Sequence, residues 1–157
     1  MHDIAKQVVD ALRINQQTIC FAESCTGGLI SETITRVPGA SEVFLGSVVA
    51  YANEVKKNIL GVDKKLLETY GAVSEQVAYA MAENTRKLFS ADWSISVTGI
   101  AGPSGGSQEK PVGTVFVGIS SKNKTQVNRL NLGNIGRDAV RDETTKIALH
   151  WVFDYLT

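Results

Sequence analysis

The stretch from Thr18 to Ile34 narrows the choice of folds more than any other part of the chain. Thr18 to Ala22, TICFA, reads as a short buried strand, and Glu23-Ser24-Cys25-Thr26-Gly27-Gly28 follows as a tight turn. Leu29 to Ile34 then has helical spacing, stopped near Pro38 and Gly39. A strand that turns straight into a helix belongs to a layered protein in which helices cover a sheet.

The rest of the chain repeats that alternation. Ile4, Val8, Val9 and Leu12 are spaced for a helix over Asp3 to Ile14. Val43 to Tyr51 is apolar and β-branched, as a strand requires. Asn53 to Leu60 suits a short helix, with Asn53 as its cap and Gly61 just past its end. Leu66 to Tyr70 gives another helical turn, and Ser74 caps a longer helix to Phe89. Trp93 to Thr98 alternates like a strand. Thr114 to Ser120 and Thr125 to Leu132 read as a hairpin across Lys122-Asn123-Lys124. The last helix runs from Arg137 to Leu156, with Val140, Thr144, Ile147, Trp151 and Tyr155 on one stripe. The fold class expected is α/β: a three-layer α/β/α sandwich in one domain over residues 1–157, the hairpin making its central sheet mixed.

Bulk properties exclude several classes. Sixteen Lys plus Arg balance sixteen Asp plus Glu, so the chain lacks the basic excess of a non-specific nucleic-acid binder. No apolar run is long enough to span a membrane. Asp3, Lys6 and Asp10 break up any secretion signal, so the chain is expected to be cytoplasmic. Cys20 and Cys25 make no disulfide framework, and the histidines, His2 and His150, stand in no ligand-type spacing. No metal site is expected.

Chemistry concentrates in four places. Glu23 to Gly28 ends a strand and opens a helix, where backbone N–H groups and the helix dipole can hold a phosphate or an oxyanion. Gly27 and Gly28 permit close approach of a ligand. The same residues also suit an ordinary cap made by Ser24 or Thr26. Cys25 competes with Ser24 as nucleophile, because a helix N-terminus lowers a thiol pKa, but Ser24 is favoured because a matched base is available to it. That base comes from Tyr51-Ala52-Asn53-Glu54-Val55-Lys56-Lys57: at about 100° per residue Lys56 lies beside Ile59 and Leu60, while Lys57 points away. A lysine desolvated there is neutral more readily and can take a serine proton. Third, Gly99 to Gly113 holds seven glycines and prolines, too irregular a loop to be accidental in a compact domain, with Thr98 at the strand end before it. Fourth, Arg137 and Arg141 lie one turn apart and can grip an anion, unless Arg141 pairs with Asp138 instead.

The runs AESCTGGLIS, YANEVKKNILGV, GAVSEQVA, TGIAGPSGGSQEKPVGTV and RDAVR together resemble, in order, the C-terminal domain of the CinA competence/damage-inducible family. The resemblance covers Phe21 to Trp151 and implies a stand-alone domain with nicotinamide-nucleotide amidase activity: nicotinamide mononucleotide goes to nicotinate mononucleotide and ammonia, without a cofactor. By this resemblance Ser24 is the nucleophile and Lys56 its basic partner. Thr26, Gly27 and Gly28, with Gly99 and Gly102 of the GIAGP loop, form substrate-binding walls. Cys25, Tyr51, Asn53 and Thr98 complete the set, and Arg137 contacts the substrate phosphate. The family often reads Gly-Asp-Arg where this chain has Gly133-Asn134-Ile135-Gly136-Arg137. A homodimer is also implied. The alternatives are a non-catalytic nucleotide-binding module and an interaction domain in DNA uptake or repair, the latter suggested by the family name alone.

Overall fold

A computed structural model describes all residues from Met1 to Thr157. The elements are α1 (His2–Asn15), β1 (Ile19–Glu23), α2 (Leu29–Thr35), β2 (Phe44–Val49), α3 (Asn53–Asn58), α4 (Lys64–Tyr70), α5 (Glu75–Phe89), β3 (Trp93–Gly99), β4 (Thr114–Ser121), β5 (Thr125–Asn131) and α6 (Arg137–Leu156). The five strands form one sheet in the order β2-β1-β3-β4-β5. β1 is parallel to β2 and to β3, whereas β3/β4 and β4/β5 are antiparallel. The sheet is therefore mixed, as the hairpin requires.

Each strand's sequence matches its place. Every residue of β1 is buried, because helices cover both faces of this central strand. At one edge, β5 (TQVNRLN) leaves Asn128, Arg129 and Asn131 exposed. One face of the sheet packs on α1, α2 and α6 through the main core, which includes Val8, Leu12, Phe21, Ile95, Val97, Val140 and Leu149. The other face packs on α5 around a smaller cluster of Ala22, Ala50, Leu60, Val62, Val77 and Met81.

The alternation within β3 decides how α5 sits. Ile95 and Val97 join the main core. The intervening hydroxyls face the other way: Ser94 Oγ donates to the Ala82 carbonyl and Ser96 Oγ to that of Ala78, each at 2.6 Å, and Thr98 Oγ1 donates to the Ala72 carbonyl at 2.8 Å. This close seam needs Gly118 on β4, where a Cβ would lie 2.5 Å from Ser96 Oγ and 2.8 Å from the Ala78 carbonyl.

Three local expectations need correction. Asn53 is the first residue of α3, and Ala52 stands at the cap without a side-chain bond. Ile59 is exposed, because α3 ends at Asn58 and turns it outward; Leu60 alone of the two enters the core. On α6 the buried stripe is Val140, Thr144, Thr145, Ala148, Leu149, Val152 and Leu156, while Ile147 and Trp151 are half-buried and Tyr155 is exposed. Small residues let α6 approach the core closely and displace the aromatic ones to the flank. The cap of α5 is as expected, Ser74 Oγ accepting from the Val77 amide at 3.3 Å. No helix is long and apolar enough to cross a membrane.

Candidate active site

Where the carboxyl ends of β1 and β3 lie side by side, the chain leaves in different directions and opens a cavity of about 200 Å³. Ser24 and Cys25 line it from the turn after β1, and Tyr51, Asn53 and Lys56 from the segment after β2. Thr98 and Gly99 end β3 and Ala101 follows it, Ala72 and Val73 precede α5, and Arg137 begins α6.

Glu23 builds the nucleophile turn. Fully buried, its carboxylate accepts the amides of Gly28, Ile30 and Ser31 at 2.9–3.0 Å and the Ser31 hydroxyl at 2.6 Å. The amino end of α2 is thus occupied by the chain's own carboxylate and is not open to a substrate anion. Neither Ser24 nor Thr26 caps this helix; Gly28 stands at its cap with φ of 99°. The turn is closed by the Gly27 amide on the Ser24 carbonyl and the Leu29 amide on the Thr26 carbonyl, at 3.0 and 3.1 Å. The Ser24 amide continues the ladder to the Val97 carbonyl at 3.0 Å. Between these anchors the amides of Cys25 and Thr26 donate to no carbonyl.

Ser24 Oγ lies 3.0 Å from Lys56 Nζ. The Lys56 side chain is only 1% exposed, and its nitrogen also meets the carbonyls of Ala50 at 2.8 Å and Tyr51 at 3.3 Å. Burial holds its pKa below the ordinary lysine value, against a smaller opposing effect of Cys25. Nζ donates to all three oxygens, and in its neutral form it keeps two N–H groups for the carbonyls and offers its lone pair to the Ser24 O–H. Lys57, one residue on, is exposed.

The neighbouring thiol behaves differently. Burial pushes Cys25 up to about 12, so at neutral pH it stays protonated and is a poor nucleophile. His150, the one internal histidine, is exposed on α6 and does not line the cavity.

The two arginines part company. Arg137 spans the cavity mouth, Nη1 donating to the Gly102 carbonyl and Nη2 to the Tyr51 hydroxyl, both at 2.9 Å. Arg141 turns to the nucleophile turn, Nη2 donating to the Thr26 carbonyl at 3.0 Å, with Asp138 3.7 Å from its Nη1. They do not grip one anion together. Of the residues singled out in the sequence, Ser24, Cys25, Tyr51, Asn53, Lys56, Thr98, Gly99 and Arg137 meet around the cavity; Thr26, Gly27, Gly28 and Gly102 do not line it. Gly102 acts through its carbonyl, and the Thr26–Gly28 segment lies in the turn behind Cys25. Sequence reasoning missed Ala72 and Val73, although GAVSEQVA contains them, and it missed the clamp made by Glu23. A carboxylate set just before a Gly-Gly turn with helical N–H groups beyond it was the available signal. No group of three or more His, Cys, Asp or Glu side chains comes together to hold a metal.

The chain is similar in sequence and fold to known proteins. A CinA-like protein of Fervidobacterium nodosum is 50% identical over 148 residues, which are 94% of this chain and 35% of that relative. A second CinA-like protein, from Thermotoga neapolitana, is 49% identical over 142 residues, 90% of this chain and 34% of the relative. The chain thus spans about a third of the length of these curated relatives. Among solved structures, the competence/damage inducible protein CihA from Agrobacterium tumefaciens superposes with a TM-score of 0.95 at 37% identity, covering 98% of this chain and 93% of its own. A competence or damage-inducible protein from Enterobacter asburiae gives a TM-score of 0.95 at 29% identity, covering 99% and 98%. The family model of the CinA C-terminal domain matches residues 1–156, and the chain belongs to that family.

Proposed function

We propose that this domain is an amidase that hydrolyses the carboxamide of nicotinamide mononucleotide to nicotinate mononucleotide and ammonia. The observation that carries this reading is the buried Ser24–Lys56 contact at 3.0 Å in an open cavity. Ser24 Oγ attacks the carboxamide carbon as its proton passes to Lys56 Nζ. The carbonyl oxygen becomes an oxyanion, for which the unpaired amides of Cys25 and Thr26 are the nearest donors in sequence. As the C–N bond breaks, Lys56 returns the proton to the departing nitrogen and ammonia leaves. Water then attacks the ester, gives its proton to Lys56, and the proton goes back to Ser24 Oγ as the acid is released. Every proton is accounted for by the two side chains and water.

The substrate class rests on the family resemblance and on the shape of the mouth. A carboxamide has to reach Ser24, and an anionic group on the same molecule then meets Arg137 at the rim. The test is ammonia release by the purified chain from nicotinamide mononucleotide, nicotinamide riboside and nicotinamide, with and without a chelator. Turnover of the mononucleotide, undiminished by chelation and lost in Ser24→Ala, is expected. Absence of ammonia from all three compounds would overturn the reading.

A further inference from the structure

Resting on Ser24 as the nucleophile, we propose that Arg141 is a positioning residue: its guanidinium, bonded to the Thr26 carbonyl, fixes the turn that aims Ser24 and the free amides of Cys25 and Thr26. The Thr26–Gly27 peptide is the last one before two consecutive left-handed residues, Gly27 at φ of 59° and Gly28 at 99°. Glycines at such angles rotate with little steric resistance, so the peptide planes of this turn need outside anchors. A flipped Thr26–Gly27 plane would turn its carbonyl toward that of Ser24 and lose the Gly27 amide bond that closes the turn.

The Thr26 carbonyl accepts the Leu29 amide at 3.1 Å, and a second donor reaches it from a distant element. Arg141 Nη2 donates to it at 3.0 Å, and the same nitrogen would lie 3.6 Å from a Cβ on Gly27. The other end of that peptide is the Gly27 amide, which donates to the Ser24 carbonyl at 3.0 Å. A cation on the carbonyl polarises the peptide and strengthens the bond its N–H makes, so the effect of Arg141 reaches the Ser24 backbone through one peptide unit. The charge remains available for this. Asp138, at 3.7 Å, has a side chain 93% exposed and screens little of it, while the Arg141 side chain is 31% exposed. Arg141 does not line the cavity.

The test uses the intact protein and two readouts. The first is kcat and KM for ammonia release from nicotinamide mononucleotide. The second is the rate at which a fluorophosphonate labels Ser24, followed by mass spectrometry, which needs the same turn but no nucleotide. Arg141→Gln is expected to lower both kcat and the labelling rate by about tenfold or more, with KM little changed, since a lost oxyanion donor costs about a hundredfold and a support acts less directly. Arg141→Lys, which keeps a cationic donor, is expected to recover most of the labelling rate, and Asp138→Asn to leave both readouts alone. Melting temperatures identify any variant that fails to fold; the Lys variant, closest to the parent, then decides through its kcat against KM. Wild-type kcat and labelling rate in a folded Arg141→Gln would overturn the proposal, as would a loss confined to KM. A wild-type chain that labels at Ser24 but releases no ammonia would overturn the nucleotide reading and leave this one standing. A wild-type chain that does not label at Ser24 would overturn both.

Discussion

Glu23 and Ser24 are neighbours at the end of β1, yet their side chains serve different partners: the Glu23 carboxylate gathers the amides of Gly28, Ile30 and Ser31, while the Ser24 hydroxyl meets Lys56 Nζ at 3.0 Å. One residue thus holds the turn that displays the next. The division follows from strand geometry, in which successive side chains leave on opposite sides.

Glu23→Gln is expected to destabilise the fold by about 2–3 kcal/mol, because an amide NH₂ would replace one acceptor oxygen among buried N–H donors. Ser31→Ala, which removes one hydroxyl donor to the same carboxylate, should cost about 1 kcal/mol. Urea unfolding of the two variants measures both, and a neutral Glu23→Gln would show that the clamp contributes nothing.

Ser24→Ala should lower kcat by about a thousandfold or more, as loss of an activated nucleophile does. Cys25→Ala should stay within about tenfold of the parent, since its buried thiol, raised to about 12, contributes no thiolate at neutral pH. Initial rates of ammonia release separate the two, and a reversed order of losses would transfer the nucleophile's role to Cys25.

Lys56 links activity to pH. Burial lowers its pKa in the folded chain, whereas the unfolded chain titrates near the usual value of about 10.4. Between those two values the unfolded state binds more protons, so stability rises with pH through that window; below it the buried ammonium carries its full cost. Lys56→Met should therefore be folded and inactive, with its stability advantage over the parent largest at low pH and shrinking as pH approaches the unfolded value. The parent's kcat/KM should rise on an acidic limb whose apparent pKa lies below that of free lysine. Lys57→Met should remain active, since Lys57 is exposed. An active Lys56→Met would remove lysine from the mechanism.

Arg137 should govern affinity. Arg137→Ala is expected to raise KM for the mononucleotide by about tenfold to a hundredfold, the range of a lost charge-assisted contact, and to change little for the riboside. Tyr51→Phe, which removes one acceptor of Arg137, should have a smaller effect of a few fold. Steady-state kinetics on both compounds measure this, and equal losses on mononucleotide and riboside would mean that Arg137 does not read the phosphate.

What the sequence disclosed divides along a physical line. The strand Thr18–Ala22, the turn on Gly27 and Gly28 and the helix after it are local, and they were legible from apolar runs and glycine placement. The choice of Lys56 over Lys57 was legible too, from helical angle alone. The burial of Lys56 has a different cause from the apolar neighbours that the helical angle suggests: Ile59 is exposed, and the Lys56 side chain reaches inward to the Ala50 and Tyr51 carbonyls. The α6 stripe was misjudged because Trp151 and Tyr155 look like core by size, whereas close helix packing selects Ala148, Thr145 and Thr144. The separate fates of Arg137 and Arg141, and the wall made by Ala72 and Val73, depend on which distant segments meet. No local pattern encodes that.

The hydroxyls of Ser94, Ser96 and Thr98 amount to a vernier between strand and helix. Two residues of strand advance about 6.6 Å and four of helix about 6 Å, so rungs two apart on β3 meet carbonyls four apart on α5, Ala82 and Ala78. Because the scales nearly coincide, a slip of α5 by one residue would unpair the matched rungs at once rather than one by one, so α5 has discrete settings rather than a sliding range. The last graduation, Thr98 on Ala72, falls past the end of the helix and on the cavity wall itself. The scale that seats α5 on the sheet therefore runs on into the wall of the opening above Ser24.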